Sequence, residues 1–186
     1  ICFALCAFVA GTILQEFWRG PMVRRRSTGG DLLGSLVGLV ARSRRRYGGY
    51  IVHLGIVLIF LGFAGEGYKR DVEVALAPGQ EATIGRFRVR NDAIRVSDDG
   101  RKQMVTAYVT VLVDGREAGT MYPARWFFRK HENEPTTEVA IRRSVGEDLY
   151  VNMANYDVPT QTGHFQIFLN PLVNWIWLGF GIVALG

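Results

Sequence analysis

Three histidines and two cysteines carry most of the reactive chemistry in this chain. His53 stands inside Tyr47–Ala64, an apolar run without a charged residue. A titratable side chain in such a run is costly to place in lipid, and by default it marks a functional site. Three uses are open to it: a hydrogen bond to a neighbouring helix, a proton relay, or a metal or haem ligand. A haem takes one or two axial ligands, usually neutral imidazole, inside an apolar envelope. This segment supplies one imidazole, so a second ligand has to come from elsewhere. His131 lies in a charged turn, Arg129-Lys130-His131-Glu132-Asn133-Glu134, and reads as an exposed loop residue. His164 follows Gln161-Thr162-Gly163 just before a strand, with contact to a substrate near a membrane surface as the alternative. Cys2 and Cys6 share one face of an apolar segment at i, i+4 and read as small packing residues rather than ligands or redox thiols. The sequence has no G-x-S-x-G, P-loop, H-E-x-x-H or C-x-x-C motif, and no carboxylate pair in an apolar setting. Nothing therefore points to hydrolysis or a zinc ribbon.

The elements that hold these residues follow from hydropathy and charge. The chain has 186 residues and a net charge of +5, and it mixes two kinds of sequence. Residues 1–14, 47–65 and 171–186 are almost wholly apolar, whereas 66–170 are polar and alternating. Both ends fall inside apolar runs, so the sequence reads as a piece of a longer membrane protein. About 18 uncharged residues at 1.5 Å each span roughly 27 Å, close to the hydrocarbon thickness of a bilayer.

The charge is uneven. From Gln15 to Arg46 there are eight basic residues against Glu16 and Asp31, whereas 66–170 hold 14 basic and 15 acidic residues. Flanked by two apolar spans, the arginine-rich loop reads as a topological signal rather than a nucleic-acid patch. By the positive-inside rule it is cytoplasmic. Residues 66–169 then lie on the far side, the periplasm of a bacterium.

Residues 1–18 read as a transmembrane helix that exits at Phe17 and Trp18 and is ended by Pro21 and Arg24–Arg26. Residues 19–46 form a basic loop. Within it Leu32, Leu33, Leu36, Val37, Leu39 and Val40 make an apolar stripe on a short interfacial helix, with Thr28 and Asp31 as a weak capping pair. Residues 47–65 are the span that carries His53. On it Gly48, Gly55 and Gly62 fall on one side and suit the close approach of another helix. Gly49, one turn before His53 on its face, leaves room beside the imidazole for something flat or another backbone.

From Asp71 the period becomes two, with Val72, Val74 and Leu76, then Ile84, Phe87 and Val89. Asp98-Asp99-Gly100 and Asp114-Gly115 are hairpin signals, and Met104–Val113, Gly119–Phe128, Glu138–Arg142, Asp148–Met153 and Phe165–Leu169 read as strands. The expected fold is thus a membrane protein of transmembrane α-helices plus an exported all-β antiparallel domain, a small barrel or sandwich. Asn170-Pro171 is expected to open the last span, residues 170–186, with Asn as N-cap and Pro at the first helical position.

Arg44-Arg45-Arg46-Tyr47-Gly48-Gly49-Tyr50-Ile51-Val52-His53-Leu54-Gly55 resembles the C-terminal part of the CcmF family, the haem-lyase subunit of bacterial system I cytochrome c maturation. Glu138-Val139-Ala140-Ile141 and Gly146-Glu147-Asp148-Leu149-Tyr150-Val151 resemble that family's exported domain. Asn170-Pro171-Leu172-Val173-Asn174-Trp175-Ile176-Trp177 resembles the start of its last span. The resemblance implies a role in attaching haem to apocytochrome c, whose two Cys-x-x-Cys-His thiols add across the haem vinyl groups. It implies partners, namely a periplasmic haem chaperone, apocytochrome c and other maturation subunits, with membrane lipids around it and no nucleic acid. It implies a multi-pass protein of the bacterial inner membrane. It also implies a haem b held in the membrane between two histidines, of which His53 matches the second and would ligate the haem iron. The other ligand and the family's tryptophan-rich haem-holding segment would lie upstream of Ile1, and the resemblance gives no role to His131 or His164 and no catalytic residue in this piece. Two other readings remain: a non-enzymatic membrane-anchored assembly platform built on the β domain, and a quinol-linked b-type cytochrome subunit.

Overall fold

The computed structural model describes residues 1–28, 32–129 and 134–186. The chain divides into a helical unit, Ile1–Gly67 with Leu172–Gly186, and a β unit, Tyr68–Pro171.

The helical unit contains α1 (Cys2–Thr28), α2 (Leu32–Arg42), α3 (Arg44–Ala64) and α4 (Val173–Leu185). Two stretches, Cys2–Val23 and Arg44–Tyr68, are long and apolar enough to cross a membrane by length and composition. At 21 residues α3 extends about 31 Å. It begins at Arg44, three residues before the apolar run, so its first turn is wholly cationic. That is the wrong sign for a helix N-terminus, whose exposed N–H groups favour negative charge. Within the helix Arg46 Nε donates to the Tyr50 hydroxyl at 3.0 Å.

α1 and α3 pack antiparallel. The Cys2 and Cys6 thiols donate to the carbonyls of Phe60 and Val57, each at 3.7 Å. At the other end Arg46 Nη2 meets Glu16 Oε2 at 2.6 Å. Phe17 closes edge-on against Tyr47 and Tyr50, with ring centroids 5.2 and 6.1 Å away. Against expectation, Pro21 and the arginines after it do not end α1, which continues to Thr28. A proline costs a helix one hydrogen bond and crowds the carbonyl four residues back, here that of Phe17. The Phe17 and Glu16 contacts to α3 hold that turn in place. Thr28 is the last residue of α1, and Asp31, its expected capping partner, lies outside the described residues.

α4 runs antiparallel to α3 along a glycine seam. A Cβ on Gly48 would stand 2.7 Å from the Gly186 carbonyl oxygen, one on Gly55 2.7 Å from that of Gly179, and one on Gly62 2.4 Å from Ile176 Cγ1. Only the absence of side chains lets the backbones come this close. Asn170 and Pro171 do not begin α4. They end the last strand, paired with Asp148 and Glu147, and Leu172 at φ 61° precedes the helix. A strand end tolerates proline because no further ladder donor is needed there.

The β unit is an antiparallel sandwich. Its strands are β1 (Arg70–Leu76), β2 (Glu81–Ile84), β3 (Phe87–Asp98), β4 (Lys102–Val113), β5 (Arg116–Met121), β6 (Ala124–Phe128), β7 (Thr136–Glu138), β8 (Ala140–Arg142), β9 (Glu147–Asp157) and β10 (Thr162–Pro171). One sheet has the order β1-β10-β9-β8 and the other β2-β3-β4-β6-β7, with β5 also paired to β4. Period-two patterning sends Leu149, Val151 and Met153 of β9, and Phe165, Ile167 and Leu169 of β10, inward against Val89, Ile94, Val105, Val109 and Val111. Asp114 and Gly115, at φ 50° and 80°, form the tight β4–β5 turn their sequence calls for.

Two expected strands are each broken in two. Gly119–Phe128 is interrupted at Tyr122-Pro123, so β5 and β6 lie successively along β4. Glu138–Arg142 changes sheets at Val139, since β7 pairs with β6 and β8 with β9. A buried amide links the sheets as well. Asn91 of β3 donates through Nδ2 to the carbonyls of Leu76 (2.8 Å) and Gln161 (2.9 Å), and Gln161 Nε2 returns a bond to Ile94 O at 3.1 Å.

Candidate functional site

The site grows from one helical turn of α3. His53 Nδ1 lies 2.7 Å from the carbonyl oxygen of Gly49. A carbonyl only accepts, so Nδ1 is the donor in this bond, and in the neutral ring Nε2 is the nitrogen that carries the lone pair. The ring lines an apolar groove between α1 and α3 of about 280 Å³, with Leu5, Val9, Ile56, Val57 and Phe60 as its walls. That volume falls just below the roughly 300–1,000 Å³ of an ordinary small-molecule pocket. The groove is also open, with Phe60 55% and Leu5 59% exposed. It has the form of one wall of a site rather than a closed cavity.

Gly49 has nothing within 4 Å of where a side chain would begin. The space beside the imidazole is therefore open, while the crowded glycines, Gly48, Gly55 and Gly62, face α4 on the other side. Sequence reasoning named no partner for the second ring nitrogen. The signal was present in the spacing, because a histidine four residues after a glycine meets an unobstructed carbonyl on its own helix face. It also treated Cys2 and Cys6 as packing residues. Both do bond to backbone carbonyls of α3, but they lie in the same groove as His53.

The other candidates stand apart. His164 is exposed at a bulge in β10, beside Glu73, Ala154 and Gln166 in a shallow depression of the β unit. His131 lies outside the described residues. Among the described residues no cluster of three or more His, Cys, Asp or Glu side chains has the arrangement to hold a metal ion. A lone imidazole with a free Nε2 instead suits a cofactor that brings its own metal and needs only axial ligands.

Two carboxylates of the β unit, Asp92 and Asp99, are held in structural bonds. Burial alone would raise the Asp92 carboxyl, but hydrogen bonds from Thr110 Oγ1 (2.6 Å) and Arg90 Nε (2.7 Å) outweigh it and hold it below the usual Asp value. The same bond raises Arg90. Backbone N–H groups of Arg101 and Lys102 lower Asp99 in its turn. Each shift stabilises a fixed charge, the opposite of what a general acid needs.

Comparison with known proteins bears on the whole chain. Residues 67–171 match the family model described as the CcmF C-terminal beta-sandwich. The cytochrome c-type biogenesis protein CcmF of Pseudomonas aeruginosa is 24% identical over 156 residues, covering 82% of this chain and 23% of that protein. CcmF of Haemophilus influenzae is 25% identical over 153 residues, covering 81% of this chain and 23% of its own length. The biogenesis protein CycK of Rhizobium meliloti is 24% identical over 204 residues, 98% of this chain and 29% of that protein. Among solved structures, one named cytochrome c heme lyase CcmF superposes with a TM-score of 0.67 at 20% identity, covering 94% of this chain and 33% of that one. This chain thus spans less than a third of the length of each of these relatives, and the likeness to the solved structure is one of fold.

Proposed function

The chain belongs to the CcmF C-terminal beta-sandwich family, and on that premise we propose that it is part of a cytochrome c haem lyase, with His53 an axial ligand of a b-type haem held in the membrane. Its relatives carry the names of cytochrome c biogenesis proteins. The observation that carries the reading is the His53–Gly49 bond at 2.7 Å. It leaves Nε2 free on an apolar groove, in a helix long enough to span.

The residues present fit the group. An axial nitrogen must be unprotonated, and in the neutral ring with Nδ1 donating to Gly49 that nitrogen is Nε2. The other ring nitrogen needs an acceptor that fixes the ring and raises its basicity, and the Gly49 carbonyl supplies it. Leu5, Val9, Ile56 and Phe60 give the exposed ring an apolar flank. When bound, the haem supplies one-electron chemistry, in this reading the reduction that the incoming haem iron requires. The chain's part is to orient one imidazole and to present it on an apolar wall. The second ligand, the apocytochrome c site, the haem chaperone and the other maturation subunits belong to the longer protein and its assembly. The proposed setting is the bacterial inner membrane, with the arginine-rich end cytoplasmic and the β unit periplasmic.

The test is His53→Ala in the full-length protein, read by the reduced absorption spectrum and haem stoichiometry. Loss of the b-type signal is expected, and an unchanged spectrum and stoichiometry overturn the assignment.

A second reading rests on the β unit, which has its own closed core and pinned sheets. As an assembly platform it would dock a maturation partner through its surface. Deleting residues 71–168 then abolishes partner pull-down while His53→Ala leaves haem content and cytochrome c yield intact.

A further inference from the structure

A second groove in the helical unit has a different chemistry. It measures about 600 Å³ and runs between α2, α3 and the end of α4, with Val37, Val40, Ala41, Ile51 and Leu185 as its walls and Arg44 on its lining. The surrounding charge is of one sign. From Leu32 to Gly65 the chain has four arginines and no acid. Glu16 reaches Arg46 at 2.6 Å, which leaves Arg42, Arg44 and Arg45 with no carboxylate partner among the described residues.

We propose that this groove binds one anionic phospholipid, its acyl chain along Val37, Val40, Ile51 and Leu185 and its phosphate on Arg44. Charge and shape argue together for that occupant. The apolar walls favour a hydrocarbon chain over any soluble anion, and the uncompensated arginines favour an anionic head group over a zwitterionic one. A cationic cluster at the end of a helix long enough to span also lies at head-group depth. The proposal is independent of the haem reading, since no residue is shared between the two grooves.

The experiment is native mass spectrometry of the full-length protein released from non-ionic micelles doped with phosphatidylglycerol. One retained phosphatidylglycerol is expected, with no retention of phosphatidylcholine and no displacement by excess inorganic phosphate. Arg44→Gln should weaken retention about fivefold, the value of one basic residue near an anionic surface. Arg45→Gln, off the groove lining, should weaken it clearly less than Arg44→Gln. Ala41→Trp fills the groove without altering charge and should abolish it. Four results overturn the proposal: equal losses in the two arginine variants, which indicate general attraction; displacement by phosphate, which indicates an anion site without a lipid chain; retention undiminished in Ala41→Trp; and no retained lipid, which indicates that protein covers the groove.

Discussion

The Nδ1 nitrogen of His53 and the carbonyl oxygen of Gly49, 2.7 Å apart, fix the orientation of the ring from within its own helix. In the proposed haem site that orientation would depend on no neighbouring side chain. The contribution of this bond is separable from that of the ligand atom. Incorporating Nδ1-methylhistidine at position 53 removes the donor and keeps Nε2. Haem retention should fall by about 10–100-fold, the usual cost of losing such an outer partner. The reduction potential of the retained fraction should rise, because the imidazole is a weaker donor. Titration of haem against apoprotein and potentiometry measure the two effects.

The glycine seam makes a sharper contrast. Gly55→Ala places a methyl group 2.7 Å from the Gly179 carbonyl oxygen and 2.8 Å from Val183 N, both backbone atoms that cannot swing aside. Destabilisation of roughly 1–3 kcal/mol is expected from overpacking. Gly11→Ala meets nothing within 4 Å and should be neutral or slightly stabilising through helix propensity. Unfolding of the full-length protein in mixed micelles ranks the two.

The β unit should fold alone. Residues 68–171 have a continuous core and two sheets joined by Asn91 and by the crossing at Val139. Expressed without the helices, they should unfold cooperatively in urea. Asn91→Ala strands the buried carbonyl of Leu76 and the half-buried one of Gln161, and should cost roughly 1–3 kcal/mol. A midpoint equal to the parent's would mean the amide bridge contributes nothing.

Asp92 gives a pH dependence whose direction is fixed. Its carboxyl lies below the ordinary value when folded, so the folded state favours the ionised form. The stabilisation is present above the unfolded value, about 3.9, and is lost as pH falls through the folded value. Asp92→Asn should therefore be less stable than the parent at neutral pH, with the gap narrowing below about pH 4. Parallel urea titrations across that range measure the convergence.

These expectations differ in how far the sequence alone supports them. Alternation in Val72-Val74-Leu76 and Leu149-Val151-Met153 exposed the strands because period two and burial coincide there. The break at Val139 stayed hidden because only a change of partner, from β6 to β9, separates its halves, whereas at Tyr122-Pro123 both halves stay on β4 and the proline, which has no ladder donor, is the break. Pro21 misled because intrinsic propensity counts its lost hydrogen bond but not the α3 contacts of Phe17 and Glu16. Asn170-Pro171 carries a helix-start signature, yet the ladder to Asp148 and Glu147 claims both residues. On α3 the spacing of Gly48, Gly55 and Gly62 revealed the packed face, and the cost of a histidine in lipid revealed His53. The acceptor for its second nitrogen is the backbone carbonyl of Gly49, whose one trace in the sequence is a glycine four residues before the histidine.

The committed Nδ1 proton also bears on how charge can cross this helix. A proton wire through an imidazole takes a proton in at one nitrogen and gives one out at the other. The Gly49 carbonyl has no basicity with which to accept that second proton, so at this turn the wire is cut. An arriving proton on Nε2 has no onward path through the ring. What the arrangement favours is an insulated electron terminal, a ring that couples electronically to a metal through Nε2 while its protons stay still.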